Sequence, residues 1–229
     1  QLPDNIAAYT KDLAARALSG DVYAVSCRKP FAASEEGTPH IVLWDFGFKG
    51  SIAGKLAARG CKVTVVPAAS TPADILAQKP DGILLSNGPG DPSVYTDIIK
   101  NLRELPSSNI PVFGICLGHQ LLALAKGARS IKLKYGHHGA NQPVRDTKTG
   151  KLYITSQNHE YSIDPKTLPE GAVMSYENVN DGTCEGISYS DIPAFSVQFH
   201  PEASAGPQDT EFLFDQFLTM VGGKRNAAQ

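Results

Sequence analysis

The sequence predicts an α/β fold: a mixed, mainly parallel central sheet with helices on both faces, plus a smaller antiparallel extension. Three observations carry this. Short apolar runs recur at 41–44, 62–66, 82–86 and 111–115, each of a length suited to a strand buried on both faces. A helical pattern follows each run after a short connection, and such β-α repeats imply parallel strands joined by crossovers. After Gly127 the pattern changes to short strand-like pieces between turn residues, as an antiparallel or mixed region requires.

Taken in order, residues 1–37 read as a leading segment. A helix is predicted over 6–18, ended by Gly20, and the Pro- and Glu-containing stretch 28–39 reads as a linker. The first strand, 41–44, breaks at Gly47 and precedes a helix over 51–59 that stops at Gly60. After strand 62–66, Thr71-Pro72-Ala73-Asp74 reads as an N-cap, an N1 proline and an N3 acid opening a helix to residue 78. Asp91-Pro92 is predicted to cap a helix to residue 105. Strand 111–115 leads into a helix over 119–126, closed by Gly127. Further strands are expected at 131–135, 142–145, 152–155, 173–177, 185–189 and 194–198. Phe212, Leu213, Phe217 and Val221 place one apolar face on a last helix from residue 209. The expected organisation is a leading segment at 1–37, one domain over 38–222 and a C-terminal tail at 223–229.

Composition narrows the function classes. With 229 residues, 41% hydrophobic, the chain can bury a sizeable core. Lys and Arg number 21 against 23 Asp and Glu, a net charge of −2 with no basic stripe, so neither nucleic acid nor a membrane is an expected partner. No apolar run reaches the ~18 residues of a membrane span. Asp4, Lys11, Asp12 and Arg16 do not fit a signal peptide. Cys27, Cys61, Cys116 and Cys184 show no paired spacing and read as reduced thiols of a cytoplasmic protein.

Chemistry concentrates at three points. Gly114-Ile115-Cys116-Leu117-Gly118 lies where a strand meets a helix. A nucleophile on such a turn needs small neighbours, and the helix N-terminus favours a thiolate. The plainer reading is a buried core cysteine. His200-Pro201-Glu202 follows strand 194–198. On a parallel neighbour of the Cys116 strand, His200 would reach the same crevice as a base, with Glu202 orienting it. Ser86-Asn87-Gly88-Pro89-Gly90-Asp91-Pro92 follows the third strand, and its glycines allow close backbone approach to a ligand or an oxyanion. It lacks the Lys-Ser/Thr of a P-loop, so nucleotide binding is not expected. His137-His138 invites a metal hypothesis, but no Cys or carboxylate flanks the pair in sequence, and loop packing or a partner surface is the preferred reading; no metal is expected. His119 reads as structural.

Together these residues resemble the class I (triad) glutamine amidotransferases, whose fold is flavodoxin-like. Gly114-Ile-Cys116-Leu-Gly118-His119-Gln120 and the later His200-Pro201-Glu202 carry the resemblance. Three further stretches are similar to the glutaminase subunits of carbamoyl-phosphate synthetases: 85–92, Tyr135-Gly-His-His-Gly139 with Asn141-Gln-Pro143, and Ser156-Gln-Asn-His159. The resemblance implies hydrolysis of L-glutamine to glutamate and ammonia, with Cys116 as nucleophile, His200 as acid and base, and Glu202 orienting His200. It implies an oxyanion hole from the N–H groups of Gly90 and Leu117, Gln120 at the substrate's amino-acid end, and Gly88, Asn158 and Tyr161 lining the pocket. It further implies ammonia transfer to a carbamoyl-phosphate synthetase large subunit that holds ATP and metal, with no cofactor in this chain, and a product serving arginine and pyrimidine synthesis. The family's small subunit begins with a separate N-terminal domain, and residues 1–37 resemble only the stretch leading out of it. Glu160 stands where the family commonly has Gly, and is expected either to turn to solvent or to pair with the substrate α-ammonium. Two alternatives stay open: a free-standing cysteine hydrolase of the same fold, and a non-catalytic regulatory module.

Overall fold

From β2 to β5 the chain returns to the sheet through one helix at a time. The computed structural model describes residue 5 and residues 21–105, 109–204 and 206–227, with side chains described as far as residue 223. The helix expected over 6–18 lies outside the described residues. Helix α1 is Asp21–Val25, and strand β1 is Phe31–Ser34. Then follow β2 (His40–Asp45), α2 (Gly50–Ala57), β3 (Lys62–Pro67), α3 (Pro72–Ala77), β4 (Gly82–Leu85), α4 (Thr96–Glu104), β5 (Val112–Ile115) and α5 (Leu117–Ala125). The remainder is β6 (Ser130–Asp146), β7 (Leu152–Ile163), β8 (Ala172–Asn178), β9 (Cys184–Tyr189), β10 (Ala194–Val197) and α6 (Phe212–Ala227).

The strands form one sheet in the order β1-β3-β2-β4-β5-β10-β9-β7-β6-β8. From β3 to β10 the pairs are parallel, and β1 and β9 flank that block antiparallel. Strand β9 also pairs with β8, so β9, β7, β6 and β8 close a ring of pairings at one end. Both faces of the parallel block are covered, which explains its near-continuous apolar strands. On β2, Val42 and Trp44 face the layer of α4 and α5, which contributes Ile98, Leu102, Leu117 and Leu121. Ile41 and Leu43 face α2 and α6, which contribute Ile52, Leu56, Phe214 and Phe217.

The Thr71 cap forms as predicted: the Asp74 N–H donates to Thr71 Oγ1 at 3.2 Å, and the Thr71 N–H donates to Asp74 Oδ2 at 2.9 Å. Other expectations need correction. The stretch read as a linker contains β1, which pairs with β3, because Phe31-Ala32 can extend along an otherwise open edge. The tail expected at 223–229 continues α6 as far as Ala227. The helix expected from Asp91 divides into a turn at Pro92–Val94, which Asp91 caps, and α4. The short strands expected at 131–135, 142–145 and 152–155 are parts of β6 and β7, a long hairpin interrupted by bulges.

Candidate functional site

Strand β5 delivers Cys116 to the carboxyl edge of the sheet. Its backbone is at φ 54, ψ −105, outside the regions that an L-residue with a side chain normally occupies. The turn is held on both sides. The Cys116 N–H donates to the Val197 carbonyl at 2.9 Å, and the Gly118 N–H donates to the Ser86 carbonyl at 2.9 Å. Flanking glycines are a steric requirement here. A Cβ on Gly118 would sit 2.4 Å from the Leu85 carbonyl oxygen, and one on Gly114 would sit 2.9 Å from the Gly118 carbonyl oxygen.

Strand β10 runs parallel to β5 with Val197 opposite Ile115, so the chain beyond Val197 emerges beside Cys116. The His200 N–H is fixed to the Ser156 carbonyl of β7 at 2.9 Å. His200 Nδ1 lies 2.7 Å from Glu202 Oε1, and Cys116 is close enough to act on the imidazole. Burial opposes a charge on His200, but the neighbouring Cys116 and Glu202 side chains outweigh it and raise its pKa to about 9. Glu202 is desolvated as well, yet the hydrogen bond and charge of His200 hold its carboxyl below the usual range. The three predicted triad residues are therefore brought together, each buried.

The loop after β4 lies against this centre. A Cβ on Gly88 would meet the Phe46 carbonyl oxygen at 2.3 Å, and Gly90 adopts φ 91. The loop is pinned by Tyr95 Oη, which donates to the Pro89 carbonyl at 3.1 Å. Leu117 is the first residue of α5 and is buried. Gln120, one turn on, donates Nε2–H to the Tyr161 carbonyl at 2.8 Å and to Gln198 Oε1 at 2.9 Å. Asn158 is exposed on β7 and lies 2.8 Å from His138 Nδ1. Glu160 points to the same outer side, with its carboxylate 3.5 Å from Lys132 Nζ. His119 is fully buried, 2.8 Å from Ser196 Oγ, and burial lowers its pKa to about 3, as suits a structural residue.

Sequence reading missed two neighbours of the triad. Lys49 Nζ lies 3.3 Å from Glu202 Oε1; the residue follows β2 and stands at the carboxyl edge where such sites are built. Gln198 donates Nε2–H to Cys116 Sγ at 3.7 Å, and its place at the end of β10 was the signal. The carboxylates missing around His137 in sequence are supplied by the fold: Asp181 and Glu185 lie 2.9 and 3.1 Å from its ring nitrogens. Nor do His137-His138 lie in a loop, since β6 carries both opposite His159 and Asn158 of β7. Among the described residues, one group of His, Cys and carboxylate side chains is close enough to hold an ion: His137, His159 and Glu185, all buried. No helix among the described residues is long and apolar enough to cross a membrane.

The model of the glutamine amidotransferase class-I family matches residues 42–220. The carbamoyl phosphate synthase small chain of Haemophilus ducreyi is 52% identical over 193 residues, 84% of this chain and 50% of its own length. That of Neisseria meningitidis serogroup B is 50% identical over 198 residues, 86% of this chain and 52% of its own. The chain thus spans about half the length of the curated relatives it matches. Among solved structures, a putative GMP synthase protein from Thermoplasma acidophilum has the same fold at 22% identity. Its TM-score is 0.71, covering 82% of this chain and 96% of that one. A glutamine amidotransferase from Thermotoga maritima aligns with a TM-score of 0.58 at 16% identity, over 81% and 85% of the two chains.

Proposed function

The chain belongs to the class-I glutamine amidotransferase family, and on that premise we propose that it is the glutaminase part of a carbamoyl-phosphate synthetase small chain. One observation carries the reading: a strained Cys116 and a buried His200–Glu202 pair stand side by side, past the carboxyl ends of two adjacent parallel strands. In this reading the chemistry runs as follows. Cys116 Sγ attacks the carboxamide carbon of L-glutamine, and the carbonyl electron pair moves onto oxygen, where the N–H groups of Gly90 and Leu117 receive it. The proton held at His200 goes to the leaving nitrogen, the C–N bond breaks and ammonia departs from a γ-glutamyl thioester. His200, now neutral, takes a proton from water as the water attacks the thioester, which releases glutamate and Cys116. Glu202 fixes the ring throughout.

Gln120 has spent its amide N–H groups on Tyr161 and Gln198. It therefore offers the substrate its carbonyl end, which suits an α-ammonium. In this reading Gly88 and Tyr161 complete the pocket, and Asn158, whose side chain lies on the outer side of β7 against His138, contributes its backbone. Ammonia passes to a large ATP-using subunit, which carries the metal as well. The four free thiols fit a cytoplasmic protein.

Two results are expected. Glutamine hydrolysis by the full-length small chain is slow alone and rises about tenfold or more when the large subunit docks, a change worth ~1.4 kcal/mol in the barrier. Fast hydrolysis indifferent to that subunit would assign the chain to the free-standing hydrolases instead. Glu160 is exposed and paired with Lys132, and in this reading it stays turned to solvent when glutamine binds. Glu160→Gly is therefore expected to change the glutamine KM by less than about twofold, because an exposed ion pair contributes little. A clear rise in KM would mean that the carboxylate reaches the α-ammonium.

A further inference from the structure

Behind the pocket lies a buried polar network that the triad chemistry does not use. His137 is its hub. Nδ1 lies 2.9 Å from Gln157 Oε1 and 3.1 Å from Glu185 Oε1, and Nε2 lies 2.9 Å from Asp181 Oδ2. Glu185 is wholly buried, receives Asn178 Nδ2–H at 3.3 Å, and its second oxygen has no partner among the described residues. From the hub the contacts run toward the catalytic centre. Gln157 Oε1 lies 3.0 Å from His159 Nε2, and His159 Nδ1 lies 2.8 Å from the Tyr161 carbonyl. That carbonyl accepts from Gln120, which also donates to Gln198, which donates to Cys116 Sγ. Burial lowers the pKa of His159 to about 3, so its neutral ring donates to one of its two acceptors at a time and meets the other as a close polar contact; among groups so desolvated, loss of a partner is costly.

We infer that His137 and Glu185 are positioning residues for glutamine binding. They hold Gln157 and His159 against the back of β7 and so fix the Tyr161 carbonyl that orients Gln120. Neither touches the reacting atoms. The other charged or titratable groups facing His137 are Asp181, whose carboxylate is partly exposed, and the ring of His159, at a centroid distance of 4.9 Å. The hub has two sides. Nδ1 faces the pocket-side partners, and Nε2 faces Asp181 at the protein's edge. If the pocket side matters, the two directions separate experimentally, because an Asn amide reproduces a group near Nδ1 and a Gln amide one near Nε2.

The inference rests on the glutaminase reading, and the test keeps the two apart. Glutamine hydrolysis is measured for the full-length small chain with its large subunit, for wild type, His137→Asn, His137→Gln and Glu185→Gln. In parallel, Cys116 is alkylated with iodoacetamide, which does not need the amino-acid pocket. The expected result is a KM raised about tenfold or more for His137→Gln, with kcat and the alkylation rate within about threefold of wild type. His137→Asn and Glu185→Gln, which keep a hydrogen-bonding group toward the pocket side, recover most of that affinity. Equal KM values for His137→Gln and wild type, or a loss confined to kcat, would overturn the inference. So would a stoichiometric metal in the purified protein whose removal reproduces the rise in KM. If His137→Gln does not fold, a KM for Glu185→Ala equal to that of Glu185→Gln would overturn it too. A wild-type protein without glutamine hydrolysis would instead refute the glutaminase reading.

Discussion

Cys116→Ser is expected to lower glutamine turnover by about 10⁴-fold or more while leaving the fold intact. The two side chains are close in size, and Cys116 is held by its backbone rather than by its sulfur, through the bonds to Val197 and Gln120. What disappears is the thiolate, which a hydroxyl cannot replace beside an imidazole tuned for a sulfur anion. His200→Asn belongs to the same unit and is expected to cost a comparable amount, and Glu202→Gln less. Turnover by steady-state ammonia release and folding by circular dichroism check this together. Near-normal turnover in Cys116→Ser would remove the thiol from the reaction.

The second large effect is steric. Gly118→Ala places a methyl group 2.4 Å from the Leu85 carbonyl oxygen and 2.7 Å from its carbonyl carbon, both backbone atoms of the loop-facing end of β4. Helix α5 must move away from the sheet or the strand must bend, at a cost of about 3 kcal/mol. For a domain of this size that is a fall of roughly 6–12 °C in Tm. The same displacement carries Leu117 and Cys116 with it, so turnover falls by more than the unfolded fraction explains. Gly54→Ala supplies the contrast. It lies within α2, a Cβ there meets nothing within 4 Å, and alanine is the better helix former by ~1 kcal/mol. Its Tm is expected to hold or rise. A wild-type Tm for Gly118→Ala would show slack between α5 and β4 that the packing does not contain.

The four strands β2 to β5 were legible because each is a short apolar run and a helix separates each from the next, whereas β10 joins them only after the hairpin and the two strands that follow it. The motif around Cys116 was legible for a local reason: a left-handed residue between two glycines announces itself within five positions. His200 and Glu202 required one further step, the parallel pairing of β10 with β5, which their position after an apolar run made available. Elsewhere the signals were weak. Residues 31–34 carry no alternation, since β1 is exposed along most of its length and is defined by pairing with β3. The hairpin of β6 and β7 is broken by bulges, so its pieces read as separate short strands. The His137 network was illegible for a stronger reason. Its carboxylates come from the turn after β8 and from β9, more than forty residues away, and only the closed ring of pairings brings them to the histidine. Lys49 escaped notice because a lysine at a strand end is ordinarily a solvated one.

The central claim is that Cys116 carries the glutamyl group. It is tested most directly by incubating the full-length small chain, with its large subunit, with isotope-labelled glutamine. The mixture is quenched in acid during turnover, and the cysteine peptides are read by mass spectrometry. The account predicts a γ-glutamyl thioester on the peptide containing Cys116 and on none of those containing Cys27, Cys61 or Cys184, which lack the strained turn and the His200 partner. Label on another cysteine, or wild-type glutamine turnover with no adduct at Cys116, would contradict it.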